Sequence, residues 1–499
     1  MSLDRQKAAK SALWSLVENG GLSLISMGTL VIYTRLLSTA EFGLFAVALA
    51  LVEMLQVLVT MLFHDALVQR KEVRELHYDT AFSFGLGLSL VLMLVTVLGS
   101  RALSGALGDA RAAPVLCALT LCFPAAAISA TIVARQRREL AFRPLALRSL
   151  LGRLVGAALG IALIVAGAGI WGLIAQQVLI QAVGTAFLWA TCTERPRLRF
   201  GRRELRELLG FGALSMGSLF LSFGIKRVFT VAVGLLLGIE LAGYLNLAFR
   251  TIDVLWAIAS TAATQVALPL LSSLQNDVER LKRAFRLAMS LVCMILYSSF
   301  IGIGVVAPEL VEAMFGAKWL PAAPYVSALA CLVILQAPRV LVGPLLTALG
   351  RPKDLLIGRV VELTFVLVAV LASQLPSLGW AVGIWMLREL IGLPVNVRQL
   401  QRASGFAVLD QFRGAFVPLV SALVMALAVL SLRFVLPASW GAPLRLLALI
   451  PVGALSFGLL SFVLNRELFK TLLELGRAAL RKAKPQPSLG PALPLGHPS

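Results

Sequence analysis

The chain has 499 residues, 59% of them apolar and only 14% charged, with a formal net charge of +20. Soluble domains carry about 25% charged residues, so this composition excludes a soluble globular protein and points to a polytopic membrane protein. The positive charge is not the footprint of a nucleic-acid binder, because Lys and Arg stand in short loops between apolar runs, where they record membrane topology.

Met1–Lys10 is polar and leads straight into a full-length apolar run, so no cleavable signal peptide is expected. Runs of about twenty apolar residues, each long enough to cross roughly 30 Å of hydrocarbon, then recur along the chain. They predict fourteen spans: 11–34, 42–63, 79–98, 113–134, 144–166, 170–190, 209–236, 242–271, 285–307, 323–349, 355–373, 378–397, 414–436 and 443–464. The runs are apolar throughout, without the alternation of a membrane barrel, so every span is read as helix.

The first corner, Tyr33–Glu53 (YTRLLSTAEFGLFAVALALVE), has an echo two hundred residues later at Val233–Asp253 (VGLLLGIELAGYLNLAFRTID). Gly43 aligns with Gly243 and Glu53 with Asp253, while Ala46 and Ala50 become Asn246 and Arg250. A second echo joins Ala112-Ala113-Pro114, before the fourth span's basic loop, to Ala322-Ala323-Pro324, before the tenth's. Two six-span lobes are therefore expected, related by a pseudo-two-fold axis along the membrane normal. The expected divisions are a first lobe over 1–193, a basic linker over 194–208, a second lobe over 209–400, two extra helices over 401–464, and a tail over 465–499. The tail reads as an interfacial amphipathic helix to Lys484 followed by a Pro-rich disordered segment.

Loop charge alternates. Most of the Lys and Arg outside the spans stand in the even-numbered loops and at both termini, densest at Arg195–Arg206, and few stand in the odd loops. Both termini are therefore expected on the cytoplasmic side. The five cysteines fall in or beside apolar segments, without paired metal-ligand spacing, and read as small core residues. No metal site, phosphate-cradling loop or nucleophile elbow is visible, and no enzymatic role or resident cofactor is expected.

Charges inside the spans are the informative residues, because each costs about 3 kcal/mol or more at mid-bilayer unless it faces a partner or a wet cavity. Thirteen lie in the lobe spans beyond the first two residues of each: Glu18, Glu53, Arg148, Arg153, Lys226, Arg227, Arg250, Asp253, Arg339, Arg359, Glu362, Arg388 and Glu389. Arg153, Lys226, Arg227 and Arg339 read as cavity lining. Arg250 with Asp253 and Arg359 with Glu362, each three residues apart, are bridges or cavity lining. Arg148, Arg388 and Glu389 are placed near span ends, in structural roles. Glu18 and Asn19, with Gly20-Gly21, form a polar patch that contacts sugar hydroxyls, a coupling cation or a neighbouring helix. Eight of the thirteen are basic, and a surplus of cations in low dielectric suits an anion such as a phosphate, since guanidinium forks match phosphate oxygens.

Four segments, RLLSTAEFGLFAVA (35–48), LLGIELAGYLNLAFR (236–250), APELVEAMFGAKWLPAAPYVSALA (307–330) and ALGRPKD (348–354), together resemble the polysaccharide transporters. These are the Wzx-type oligosaccharide flippases of the multidrug/oligosaccharidyl-lipid/polysaccharide superfamily. The resemblance spans roughly 10–465. It implies movement of lipid-linked oligosaccharide across the bacterial inner membrane by alternating access through a central cavity, coupling to Na+ or H+, and partnership with a polysaccharide polymerase and chain-length machinery. Relatives often carry an acidic residue followed by Arg in the seventh span; this chain has Lys226-Arg227 there, so that acid's coupling role does not transfer. A lipid II flippase and a cation-coupled multidrug exporter are the neighbouring readings. A membrane polymerase or ligase would need a larger catalytic loop than 99–112 or 308–322.

Overall fold

The computed structural model describes residues 2–70, 72–273, 278–348, 354–437, 439–464 and 466. The loop carrying Arg351 and Lys353, and the tail expected to form an interfacial helix, lie outside the described residues, Arg466 apart. Among the described residues all regular structure is helical. Eleven helical stretches are long and apolar enough to cross a membrane, so the chain is a multi-pass membrane protein. The first, seventh and eighth expected spans fall on helices of 35, 36 and 35 residues that carry charged side chains: α1 (Ser2–Leu36), α9 (Arg202–Leu237) and α10 (Ile239–Ser273).

The first lobe continues from α1 with α2 (Thr39–Met61), the short α3 (His64–Gln69) and α4 (Glu75–Leu107). The charged corner between α1 and α2 is a capping box. Ser38 Oγ accepts from Glu41 N at 3.2 Å, and Glu41 Oε2 accepts from Ser38 N at 3.0 Å, which satisfies two orphan donors at the start of α2. The fourth expected span is broken into α5 (Ala112–Leu119) and α6 (Cys122–Arg138). Pro124 has no N–H to return to the Thr120 carbonyl, so the ladder cannot run through. Next, α7 (Phe142–Leu163) ends in a π turn whose exit is Gly167 at φ 90° and Gly169 at φ 55°, a bend of a kind that favours glycine. The returning α8 (Ile170–Thr191) lies close on α7: a Cβ on Gly152, Gly156 or Gly160 would fall 2.6–2.8 Å from backbone oxygens of α8.

The second lobe repeats this plan with α9, α10, α11 (Val278–Val305), α12 (Ala307–Phe315), α13 (Ala323–Cys331), α14 (Val333–Gln336), α15 (Val342–Ala348), α16 (Asp354–Ser373) and α17 (Leu378–Ser404). Like the fourth, the tenth expected span is broken, passing through a 3-10 turn at Ala337–Arg339. Pro338 leaves the Ile334 carbonyl without a helical donor, and Tyr297 OH fills that role at 3.1 Å. Outside the repeat, α18 (Val408–Val435) lies on α11, and α19 (Ala442–Leu464) on α18 and α12. Ser290 Oγ donates to the Gly414 carbonyl at 2.7 Å, and Arg433 Nε to the buried Glu309 at 2.7 Å.

The two lobes meet where the sequence repeats. Helices α2 and α10 cross with Gly43 against Gly243: a Cβ on Gly43 would sit 1.7 Å from the Ile239 carbonyl oxygen and 2.9 Å from Gly243 N. The end of the segment read as a basic linker is fastened to the first lobe. Leu208 packs with Phe63, Leu67, Tyr78 and Ala134, so α9 begins on the first lobe and ends in the second.

Candidate functional site between the lobes

A cavity of about 320 Å³ opens between the lobes, inward of the Gly43–Gly243 crossing. Its first-lobe wall is Ser26, Thr29 and Tyr33 on α1, Glu53 on α2, Arg153 on α7, and Gln176, Gln177 and Gln181 on α8. Its second-lobe wall is Lys226, Arg227 and Thr230 on α9, with Asn246, Phe249, Arg250 and Asp253 on α10. Among the described lining residues, four cations (Arg153, Lys226, Arg227, Arg250) face two carboxylates (Glu53, Asp253).

The carboxylates are taken by neighbours on α9. Lys226 pairs with Asp253 and lies 4.2 Å above the Phe249 ring; Arg227 Nη2 reaches across the lobes to Glu53 Oε2 at 2.5 Å. The two acidic residues matched by the sequence echo thus hold adjacent cations of one helix turn. Arg250 does not bridge to Asp253 along its own helix, because Asp253 is committed to Lys226. Arg250 and Arg153, one from each lobe, have no carboxylate partner among the described residues, and the Arg153 Nε is buried without a hydrogen bond.

Behind Lys226 and Asp253 lies a larger cavity, about 640 Å³, within the second lobe. Three arginines share two carboxylates on its wall. Arg339, turned inward by the Pro338 break, bridges Glu362 at 2.6 Å and also pairs with Glu389. Arg359 Nη1 meets Glu362 Oε2 at 3.1 Å, and Arg388 pairs with Glu389 while stacking 3.9 Å over Trp385. Gln336 Nε2 donates to Glu389 Oε1 at 3.0 Å. Arg388 and Glu389 are not near a helix end, since α17 runs on to Ser404; they are buried at mid-helix on the cavity wall.

Other sequence-derived candidates fall elsewhere. Glu18 Oε1 accepts from Ser149 Oγ on α7 at 2.7 Å, a contact between helices. Asn19 is exposed. Neither lines these cavities, nor does Arg148. Sequence reading missed the amides. Gln177 and Gln181, one turn apart on α8, also line a third cavity of about 260 Å³ with Gln56, Thr60 and Phe223. Three glutamines, Gln176, Gln177 and Gln181, in a largely apolar span were the available signal. No cluster able to hold a metal ion occurs among the described residues.

Beyond the glycine crossing the lobes are clamped reciprocally. Lys318 Nζ donates to the carbonyls of Arg35 and Leu37 at 3.0 and 2.6 Å, and Trp319 Nε1 to that of Thr34 at 2.8 Å. In return Arg35 Nε donates to the Met314 carbonyl at 3.0 Å. Each donor satisfies carbonyls at the C-terminal end of a helix in the other lobe, which the helix itself leaves unpaired. The Trp319 ring wedges edge-on between Phe42 and Tyr244, with centroids 5.3 and 5.9 Å away.

A helical membrane protein with paired lobes around a polar cavity is the architecture of a transporter. The chain belongs to the polysaccharide biosynthesis protein family, whose profile matches residues 32–324. It is 26% identical over 495 residues to the succinoglycan biosynthesis transport protein ExoT of Rhizobium meliloti (strain 1021), covering 97% of this chain and 98% of that one. With the lipopolysaccharide biosynthesis protein WzxC of Escherichia coli (strain K12) it shares 26% identity over 360 residues, 70% of this chain and 72% of the other. Among solved structures, the lipid II flippase MurJ in an inward closed conformation superposes with a TM-score of 0.74 at 13% identity, covering 92% of this chain and all of that one. The MATE multidrug transporter DinF-BH gives a TM-score of 0.51 at 14% identity, covering 82% and 96%. These two likenesses concern the fold.

Proposed function

We propose that the chain is a flippase that carries polyprenyl-diphosphate-linked oligosaccharide across a bacterial inner membrane, during synthesis of an exopolysaccharide, capsule or O-antigen. It acts as a transporter, not an enzyme. The observation that carries this reading is the pair Arg153 and Arg250, one on each wall of the inter-lobe cavity and neither matched by a carboxylate among the described residues. A diphosphate satisfies both, because guanidinium groups bind phosphate oxygens in two-point contacts. Glycan hydroxyls meet the amides of Gln176, Gln177, Gln181 and Asn246, while the polyprenyl chain stays in lipid. The positive-inside bias puts both termini in the cytoplasm and the Lys318–Trp319 clamp on the periplasmic side. In that orientation the described state is closed outward.

Coupling to Na+ or H+ would work through a carboxylate that changes partner. Asp253, with a side chain 60% exposed, is the most accessible of those lining the two larger cavities. The product is handed to a polysaccharide polymerase and its chain-length machinery. Deleting the gene tests the reading: the lipid-linked oligosaccharide should build up on the cytoplasmic leaflet. Its absence there, in cells that still make the precursor and lack a second transporter, would sink it.

A further inference from the structure

Residues 195–203, RPRLRFGRR, hold five arginines and no carboxylate. The backbone of this segment is pinned to the start of α4. Asp79 Oδ1 accepts from Arg197 N at 2.8 Å, Thr80 Oγ1 accepts from Gly201 N at 3.0 Å, and Ser83 Oγ donates to the Arg199 carbonyl at 3.0 Å. Asp79 and Thr80 are buried, so these anchors belong to the lobe itself. The side chains are left to solvent. Arg197, Arg199 and Arg202 are exposed and make no ion pair among the described residues, and between them Leu198 and Phe200 are 74% and 53% exposed. Two large apolar side chains held in the open among arginines are costly in water and favourable at a lipid surface.

The depth fits as well. At 1.5 Å per residue, roughly twenty residues cross the hydrocarbon, whereas α4 has 33. The span read in α4 starts at residue 79, so the Asp79 and Thr80 contacts hold the segment at the span's start, level with the headgroups.

We propose that residues 195–202 form a binding site for an anionic membrane phospholipid. Arg197, Arg199 and Arg202 take its phosphate, and Leu198 and Phe200 enter the upper acyl region. Each arginine near an anionic surface favours binding about fivefold, and the fork of a guanidinium suits a phosphate. The segment leads directly into α9, which carries Lys226 and Arg227, so a bound lipid steadies the helix that joins the lobes. The site stands apart from the cavity and does not depend on the transport reading.

Native mass spectrometry of the full chain, purified and offered equal phosphatidylglycerol and phosphatidylcholine, tests it. Phosphatidylglycerol should be retained at least about fivefold over phosphatidylcholine, less so as salt rises. Arg197→Gln/Arg199→Gln/Arg202→Gln should bring the ratio close to one without moving the melting temperature. Asp79→Ala and Ser83→Ala, which release the backbone while leaving every arginine in place, should lower the ratio part of the way; Ser83→Ala is the milder variant should Asp79→Ala not fold. A wild-type ratio of one overturns the proposal, as does a triple variant that keeps the wild-type ratio. Capture of a membrane protein by a photo-crosslinker at position 198, with no lipid preference, overturns it in favour of a protein-docking surface.

Discussion

The two lobes share a skeleton and differ in what they show the cavity. On α2, Ala46 and Ala50 are only 3% and 2% exposed; their counterparts on α10, Asn246 and Arg250, line the cavity. The first lobe offers mostly hydroxyls and amides, with one arginine and one carboxylate. The second offers three cations at the centre and a further arginine network behind them. Where both copies must do the same mechanical job the residues match, as with Gly43 and Gly243 at the crossing and Glu53 and Asp253 further along the same helices. Duplication set the geometry, and divergence of one copy supplied the charge.

The largest expected effect comes from breaking the shared part. Gly43→Ala would place a methyl 1.7 Å from the Ile239 carbonyl oxygen, so α2 and α10 must part; Gly243→Ala meets the Thr39 carbonyl oxygen at 2.6 Å. Overpacking of this kind costs about 1–3 kcal/mol, or more where backbone is the obstacle. Gly43→Ala should abolish transport and lower the melting temperature in detergent, with Gly243→Ala milder. Gly28→Ala on α1 meets nothing within 4 Å and should leave both unchanged. Equal behaviour of all three variants would show that the crossing is not a packing constraint.

Next come the residues that set the lobes apart. Losing a charge-assisted contact costs about 1.5–3 kcal/mol, so Arg250→Ala and Arg153→Ala should each slow flipping in proteoliposomes by roughly 10- to 100-fold at unchanged melting temperature. Arg250→Lys should recover part of the rate, since an ammonium is a point charge without the guanidinium fork. Wild-type rates in both alanine variants would place substrate contact elsewhere.

How much of this was legible beforehand follows from the range of the forces involved. Hydropathy gave the helices, because every span must bury its own backbone, and the glycine echo marked the crossing because close approach permits only small residues. The breaks at Pro124 and Pro338 were also written in the chain, though a hydropathy window runs through them. Partner choice was not legible. Asp253 stands three residues from Arg250 yet pairs with Lys226, 27 positions away, and Glu53 finds Arg227 in the other lobe. Such pairings depend on which helices face each other, and sequence spacing does not encode that. Of the eight basic residues, five are therefore engaged by carboxylates in the fold, and Arg153 and Arg250 stand out among the central cavity's cations.

A smaller effect should follow from exchanging the inter-lobe pair. Glu53→Arg sets a cation against Arg227, and Arg227→Glu sets an anion against Glu53; the double exchange restores attraction. Both side chains are about a third exposed, so solvent screens the pair and the coupling belongs at the low end of the roughly 0.5–3 kcal/mol range for contacting residues. The flipping rate of the double exchange should exceed the product of the single-variant effects. The equivalent exchange of Lys226 and Asp253, within one lobe, should move transport less, because it ties no lobe to the other. Additive singles would mean that Glu53 and Arg227 do not act together.

The smallest expected effect lies where the symmetry fails outright, at the start of α9. Helix α9 begins on the first lobe, where Glu207 accepts from Arg203 at 3.0 Å and from His77 at 3.2 Å, and also pairs with Arg70. Hydrogen bonds from Arg203, His77 and Arg70 hold its carboxyl down, from about 4.5 to about 2. A carboxylate depressed on folding stabilises the fold fully above its unfolded value and ceases to do so as pH falls through the folded one. The contribution of Glu207 should therefore be intact at neutral pH and disappear between about pH 4.5 and about pH 2. Glu207→Gln should lower the melting temperature slightly at pH 7, and the gap from wild type should close across that acid window. A gap that stayed constant down to about pH 2 would mean that Glu207 acts by packing, and that charge does not fasten α9 to the first lobe.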